Sequence, residues 1–227
     1  MNKRDIKDLL FEQVARIGKA VSSPKRLELL ELLAQSEKSV EQLADELSIN
    51  IKLASAHLRA LREARLVTSR KEGKFVIYRL TGDDVAGLWV MLREVAESHL
   101  VDLQVALNEM VAQPSKLLTI DRATLLNRAK KGDVIVIDVR PKEEYEQAHL
   151  PFARSMPLKE ITQRLSELPK NKDIVAYCRG PFCMFSEEAF QLLNSKGYRI
   201  YKLLDGVSEW QAAGLPLAAS GLVSTHI

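Results

Sequence analysis

The 227-residue chain has only two cysteines, and both fall in one short stretch, Cys178-Arg179-Gly180-Pro181-Phe182-Cys183. The thiolate, not the thiol, is the nucleophile, so a cysteine becomes reactive where its surroundings favour the anion. Residues 174–177 read as a buried strand and residues 185–195 as a helix. A loop between a strand end and a helix start meets that need. Its backbone N–H groups can turn inward, and the positive end of the helix dipole faces the sulfur. Gly180 permits a tight loop, and Arg179 adds positive charge. Cys183 has two readings: a resolving thiol that closes a disulfide or polysulfide bridge with Cys178, or a small apolar wall residue. Two cysteines build no disulfide framework, so a reducing cytoplasm is the expected compartment.

A second chemistry lies in the charge distribution. The net charge of +3 conceals a local excess. Residues 1–113 are neutral as a whole, yet residues 50–80 hold eight basic side chains and two acidic ones. Such a stretch in a neutral region points to a surface aimed at a polyanion. A solvated helix face is the plainer alternative.

The elements that must position these groups follow from hydrophobic period. Ile6, Leu9, Leu10, Val14 and Ile17 recur at helical spacing, with Gly18 near that helix's end. Ser23 then caps a second helix with Pro24 at its first position. Ser39 caps a third, with Gln42 at capping-box spacing. A fourth is expected over about 51–64, with Ala54, Leu58 and Leu61 inward. Residues 66–70 and 75–80 read as two strands joined by Lys71-Glu72-Gly73-Lys74. Residues 83–112 make a long apolar helix with room for a break. Pro114 marks a domain boundary, dividing residues 1–113 from 114–220. Beyond it, strands at 134–139, 174–177 and 200–204 alternate with helices at 158–167 and 185–195, the pattern of a parallel sheet covered on both faces. Residues 220–227 are expected to fray. No apolar run of about 18 residues exists to cross a membrane, and the N-terminus is not a secretory signal.

A short helix, a turn, a second helix and a β-hairpin form a winged helix-turn-helix. The stretch Val40–Val67, above all Ser55-Ala56-His57-Leu58-Arg59-Ala60-Leu61-Arg62, resembles the ArsR/SmtB-type bacterial repressors over roughly residues 10–110. The resemblance implies a homodimer on a partly palindromic double-stranded DNA operator, released by a signal. Lys52, Ser55, Ala56 and Arg59 are expected on the exposed face of the recognition helix, with Arg62 beside them. Arg70, Lys71 and Lys74 lie on or near the wing, where phosphate or minor-groove contact is expected. His57 is either a backbone contact, as the family implies, or a packed histidine. Ile51 and Leu53 stand where such helices are commonly polar. Val85, Leu88, Trp89, Leu92, Val95, Ala96, Leu103 and Leu107 form a stripe wide enough for a dimer seam as well as packing on the first helix. Relatives that sense metal use cysteines before the recognition helix or ligands in the last helix. Residues 39–49 lack cysteine and His99 has no second histidine nearby, so no metal and no cofactor is expected.

The second half resembles the rhodanese domain over about residues 117–217. The carriers are Asp138-Val139-Arg140, Glu143-Glu144-Tyr145, His149-Leu150-Pro151, the cysteine loop, and Leu204-Asp205-Gly206-Val207-Ser208-Glu209-Trp210. The resemblance implies that Cys178 takes sulfur from a small donor as a persulfide and passes it to an acceptor. Asp138, Arg140, Glu144 and His149 read as scaffold, with Asp138 and Arg140 orienting loops. Two departures stand out. Cys183 replaces the basic residue that often ends the loop, and Ala148 and Phe152 replace usual glycines. The expected fold is therefore multidomain: a mostly α winged helix-turn-helix, then an α/β domain with a central parallel sheet. The leading expectation is a regulator that accepts or senses sulfane sulfur through Cys178. The alternatives are a sulfurtransferase with autoregulatory DNA binding, and a Cys178–Cys183 redox switch without sulfur transfer.

Overall fold

A computed structural model describes residues 2–110, 117 and 120–219. Pro114 and the 220–227 tail lie outside the described residues. The chain forms two compact units, Met1–Trp89 and Val90–Ile227.

The first unit opens with α1 (Lys3–Val21), which runs past Gly18 and is capped by Asn2. Next come α2 (Pro24–Gln35), β1 (Lys38–Ser39), α3 (Val40–Glu46) and α4 (Ile51–Glu63). Pro24 starts α2 as expected, but the Ser23 side chain makes no cap hydrogen bond. Ser39 and Gln42 form the reciprocal cap of α3. Asn50 caps α4 by accepting from the Leu53 N–H at 2.9 Å. Strands β2 (Val67–Glu72) and β3 (Phe75–Leu80) pair antiparallel, so the turn shortens to Gly73-Lys74. Gly73 sits at φ +58, which a side chain disfavours. The two-residue β1 joins the other edge of β3; its shortness leaves no period to read. One core holds the unit together: Leu29, Leu30, Leu43, Ala54, Leu58, Leu61 and Val67 lie within it. Each such leucine contributes about 1.5–3 kcal/mol on burial.

Helix α5 (Asp83–His99) begins in the first unit and ends in the second, and α6 (Val101–Met110) follows. The expected break falls at Leu100. Then come α7 (Arg122–Lys131), β4 (Val134–Asp138), α8 (Lys142–Gln147) and β5 (Arg154–Ser155). The expected helix at 158–167 is instead two 3-10 turns, Leu158–Gln163 and Leu165–Glu167. Pro157 fixes the entry to the first, and Arg164 separates it from the second. The chain closes with β6 (Asp173–Tyr177), α9 (Phe185–Ser195), β7 (Ile200–Lys202) and α10 (Val207–Ala212). The sheet is parallel, in the order β5-β4-β6-β7. Alternation along its strands feeds two cores. Ile135, Ile137, Ile174 and Ala176 face α9, while Val134, Val136, Val175 and Tyr177 face Trp210.

Candidate functional site

Cys178 follows β6 directly, at the carboxyl end of a parallel sheet where such folds place their ligands. The Cys178 and Cys183 sulfurs are bonded to each other, with their Cα atoms 6.3 Å apart. Both are buried, Cys178 at 1% exposure and Cys183 at 8%. The loop closes on itself through the Cys183 N–H, which donates to the Gly180 carbonyl at 3.1 Å. Gly180 has φ +146, outside ordinary side-chain range. Gly206 packs directly on the loop backbone. A Cβ there would stand 2.5 Å from the Cys178 carbonyl oxygen and 2.7 Å from that of Arg179.

The loop's base is a set of paired, buried charges. Arg140 donates to Asp138 at 2.6 Å and to the Ala148 carbonyl at 2.7 Å. Tyr177 donates to the same carboxylate oxygen, its hydroxyl 2.5 Å from Asp138 Oδ2. It also accepts from the Leu150 N–H at 3.1 Å. Burial, then the Asp138 charge, pushes the Tyr177 hydroxyl well above its usual range. Arg179 follows Cys178 and is itself buried, at 9% exposure. Its guanidinium is taken up by Glu144 in two hydrogen bonds, at 3.0 and 2.5 Å, and lies over the Phe185 ring. His149 Nδ1 lies 2.7 Å from the Tyr145 carbonyl, and the two rings stack. Glu187 and Glu188 occupy the first turn of α9, and Glu187 pairs with the buried Lys202 at 3.6 Å. Desolvation holds the Lys202 ammonium below the usual lysine range. Phe152, at a usual glycine position, takes the left-handed conformation with φ +66.

Two residues that the sequence reading did not single out complete the surroundings. Arg93, in the second half of α5, is 3% exposed and reaches Glu209 of α10 at 2.5 Å. It also pairs with Glu97 at 2.9 Å, and its guanidinium lies over the Phe182 ring. Desolvation, opposed by Arg93, raises the Glu97 carboxyl above its usual range. The signal was available in the sequence. Val85, Trp89 and Arg93 recur every four residues, which sets a charged residue in an apolar stripe.

The other candidate surface belongs to the first unit. Lys52, Ala56, Arg59 and Arg62 are exposed on α4, whereas Ser55 and His57 are half-buried. Ile51 and Leu53 are also exposed beside them. Lys71 and Lys74 stand free of the core on the wing. Arg70 does too, but it is bound to Glu37 and Glu72 at 2.5 and 3.1 Å.

Comparisons with known proteins match both halves. Residues 23–69 match the model of the bacterial regulatory protein, arsR family, and residues 121–213 match that of the rhodanese-like domain. Arg93 lies between the two matched stretches. The HTH-type transcriptional regulator Rv0324 of Mycobacterium tuberculosis is 43% identical over 213 residues, covering 94% of this chain and 93% of that one. A protein named sulfurtransferase from Allochromatium vinosum is 37% identical over 102 residues, 44% of this chain and 94% of its own. Among solved structures, the homodimeric winged helix-turn-helix domain of a possible ArsR-family regulator from Mycobacterium bovis is 44% identical. It covers 44% of this chain and 91% of its own, with a TM-score of 0.41.

Proposed function

The chain belongs to the arsR family of bacterial regulatory proteins and carries a rhodanese-like domain, and from that premise we propose that it is a transcriptional regulator that reads sulfane sulfur through Cys178 and Cys183. One observation carries the reading. The only two cysteines of the chain close one bridge on the loop after β6.

The chemistry balances without a cofactor. The Cys178 thiolate attacks the outer sulfur of a persulfide or polysulfide donor. A new S–S bond forms at Sγ, the donor's S–S bond breaks, and the donor leaves as a thiolate one sulfur shorter. Cys178 then carries a persulfide. The Cys183 thiolate attacks Sγ of Cys178, the bridge forms, and hydrosulfide leaves. Two thiols are oxidised to one disulfide, and the sulfane sulfur is reduced to sulfide. The thiol protons pass to solvent or to the leaving sulfurs. A cellular thiol that reduces the bridge resets the loop.

DNA binding is assigned to α4 and the wing. Lys52, Arg59 and Arg62 would take phosphates or guanine edges, with Ser55 and Ala56 between them and Lys71 and Lys74 on adjacent phosphates. Ile51 and Leu53 suit thymine methyl groups. Arg70 would have to leave Glu37 to join. A second copy of the chain would cover the exposed apolar side chains of α1, among them Leu10, Phe11 and Val14, and those of α5 and α6.

Turnover as a sulfurtransferase is the second reading, favoured by the similarity to the Allochromatium vinosum protein. A redox switch without sulfur transfer is the third, favoured by the bridge itself. The test uses duplex DNA selected from a random pool by the reduced protein, at fixed salt because phosphate contacts make affinity steeply salt-dependent. Polysulfide is expected to change the affinity of the wild type and not that of Cys178→Ser. An unchanged response in Cys178→Ser overturns the reading. In Cys183→Ser, mass spectrometry is expected to find one added sulfur trapped on Cys178. Its absence favours the bare redox switch, and multiple turnovers from donor to cyanide favour the enzyme.

A further inference from the structure

Arg93 is an ion removed from water, and a charge in that position persists only when it is paired. It is retained between Glu209 and Glu97, at 2.5 and 2.9 Å. Two residues of the cysteine loop lie beside it. A Cβ on Gly180 would stand 3.1 Å from Arg93 Nη1 and 3.1 Å from Glu209 Oε1, so both charged groups press on the loop at that residue. The Phe182 ring lies 5.9 Å from the guanidinium carbon. Glu209 closes the circuit from the other side. Its second oxygen accepts from the Gly206 N–H at 2.6 Å, and Gly206 rests on the backbone of Cys178 and Arg179. The seat of Arg93 is therefore built from the residues that the Cys178–Cys183 bridge holds in place.

We propose that Arg93 is a positioning residue that ties the state of the Cys178–Cys183 loop to helix α5. The loop supplies the two-state element, bridged or dithiol, that such coupling requires. When the bridge opens, Gly180 and Phe182 are freed, and the Arg93 seat loosens. The change is felt in the part of α5 that belongs to the second unit, around Arg93. The inference rests on the two loop thiols being reactive, but its test needs no sulfur donor.

The experiment is hydrogen exchange on the full chain, oxidised with diamide or reduced with dithiothreitol. In the wild type, amides at 90–97 are expected to exchange about tenfold faster in the reduced form, as an element opens more often when its packing loosens. In Arg93→Met the two forms are expected to agree within about twofold. Arg93→Lys keeps the charge and is expected to retain part of the difference. Glu209→Gln breaks the pair from the far side, keeps an acceptor for Gly206, and is expected to lose it. Cys178→Ser/Cys183→Ser is expected to show none with either reagent. Equal redox differences in wild type and Arg93→Met overturn the inference, provided that both retain cooperative unfolding, and Glu209→Gln decides if Arg93→Met does not. A wild-type α5 that ignores the redox state overturns it as well. A wild type that responds here but takes up no sulfur from polysulfide overturns the sulfur reading and leaves the Arg93 link standing.

Discussion

Lys52 and Arg59 stand exposed on α4, whereas Arg93, Arg140 and Arg179 of the second unit are each at most 9% exposed. The two units use the same side-chain chemistry under opposite conditions. A cation at the surface is already solvated and can wait for a phosphate. A cation in the interior must have a carboxylate and further acceptors, or it is not charged there at all. The first unit can therefore vary its contact residues at little cost to folding. The second cannot change one member of its network without stranding another.

The comparison breaks most sharply at Arg140. Removing it in Arg140→Met leaves Asp138 buried without its cation and is expected to cost about 3–5 kcal/mol, measured by urea unfolding. A loss below about 1 kcal/mol would put Arg140 in the same class as a surface charge. Tyr177→Phe comes next. It removes the buried hydrogen bond to Asp138 and the one accepted from the Leu150 N–H, and is expected to cost about 1–3 kcal/mol at pH 8. The folded tyrosine holds its proton more tightly than the unfolded one. Its contribution is then complete below the unfolded value near 10 and is lost as pH rises above it. The stability gap between wild type and Tyr177→Phe should narrow between about pH 10 and pH 12, and melting curves across that range check the sign. Phe152→Gly is expected to go the other way, gaining up to about 1 kcal/mol in the same unfolding assay, because glycine relieves a left-handed backbone at an exposed position. Smallest in stability are Lys52→Ala and Arg59→Ala, each expected within about 0.5 kcal/mol of wild type. Their effect lies in binding: for a phosphate contact, each removal should lower the salt slope of DNA affinity by about one.

The same contrast explains what was legible beforehand. The capping pair Ser39 and Gln42, the apolar face of α4, and the run of strand β4 all follow from neighbours a few residues apart, so period and capping chemistry reveal them. The apolar spacing at 158–167 fits a short α-helix and two 3-10 turns alike, so the sequence does not separate them. The pairing of Arg179 with Glu144 has no sequence signal, because its neighbours in sequence say nothing of a residue 35 positions away. The winged helix-turn-helix elements, the alternating α/β half, and the confinement of all thiol chemistry to residues 178–183 were determined by the sequence alone, since each depends on local pattern or on composition. Which charges are paired, that Cys178 is bonded to Cys183, and that Arg93 reaches Glu209 across 116 residues were decided only by the tertiary structure. An ion pair or a bridge exists where the fold brings two groups within a few ångströms and shuts out water, and neither condition is a property of either residue's neighbours in the chain.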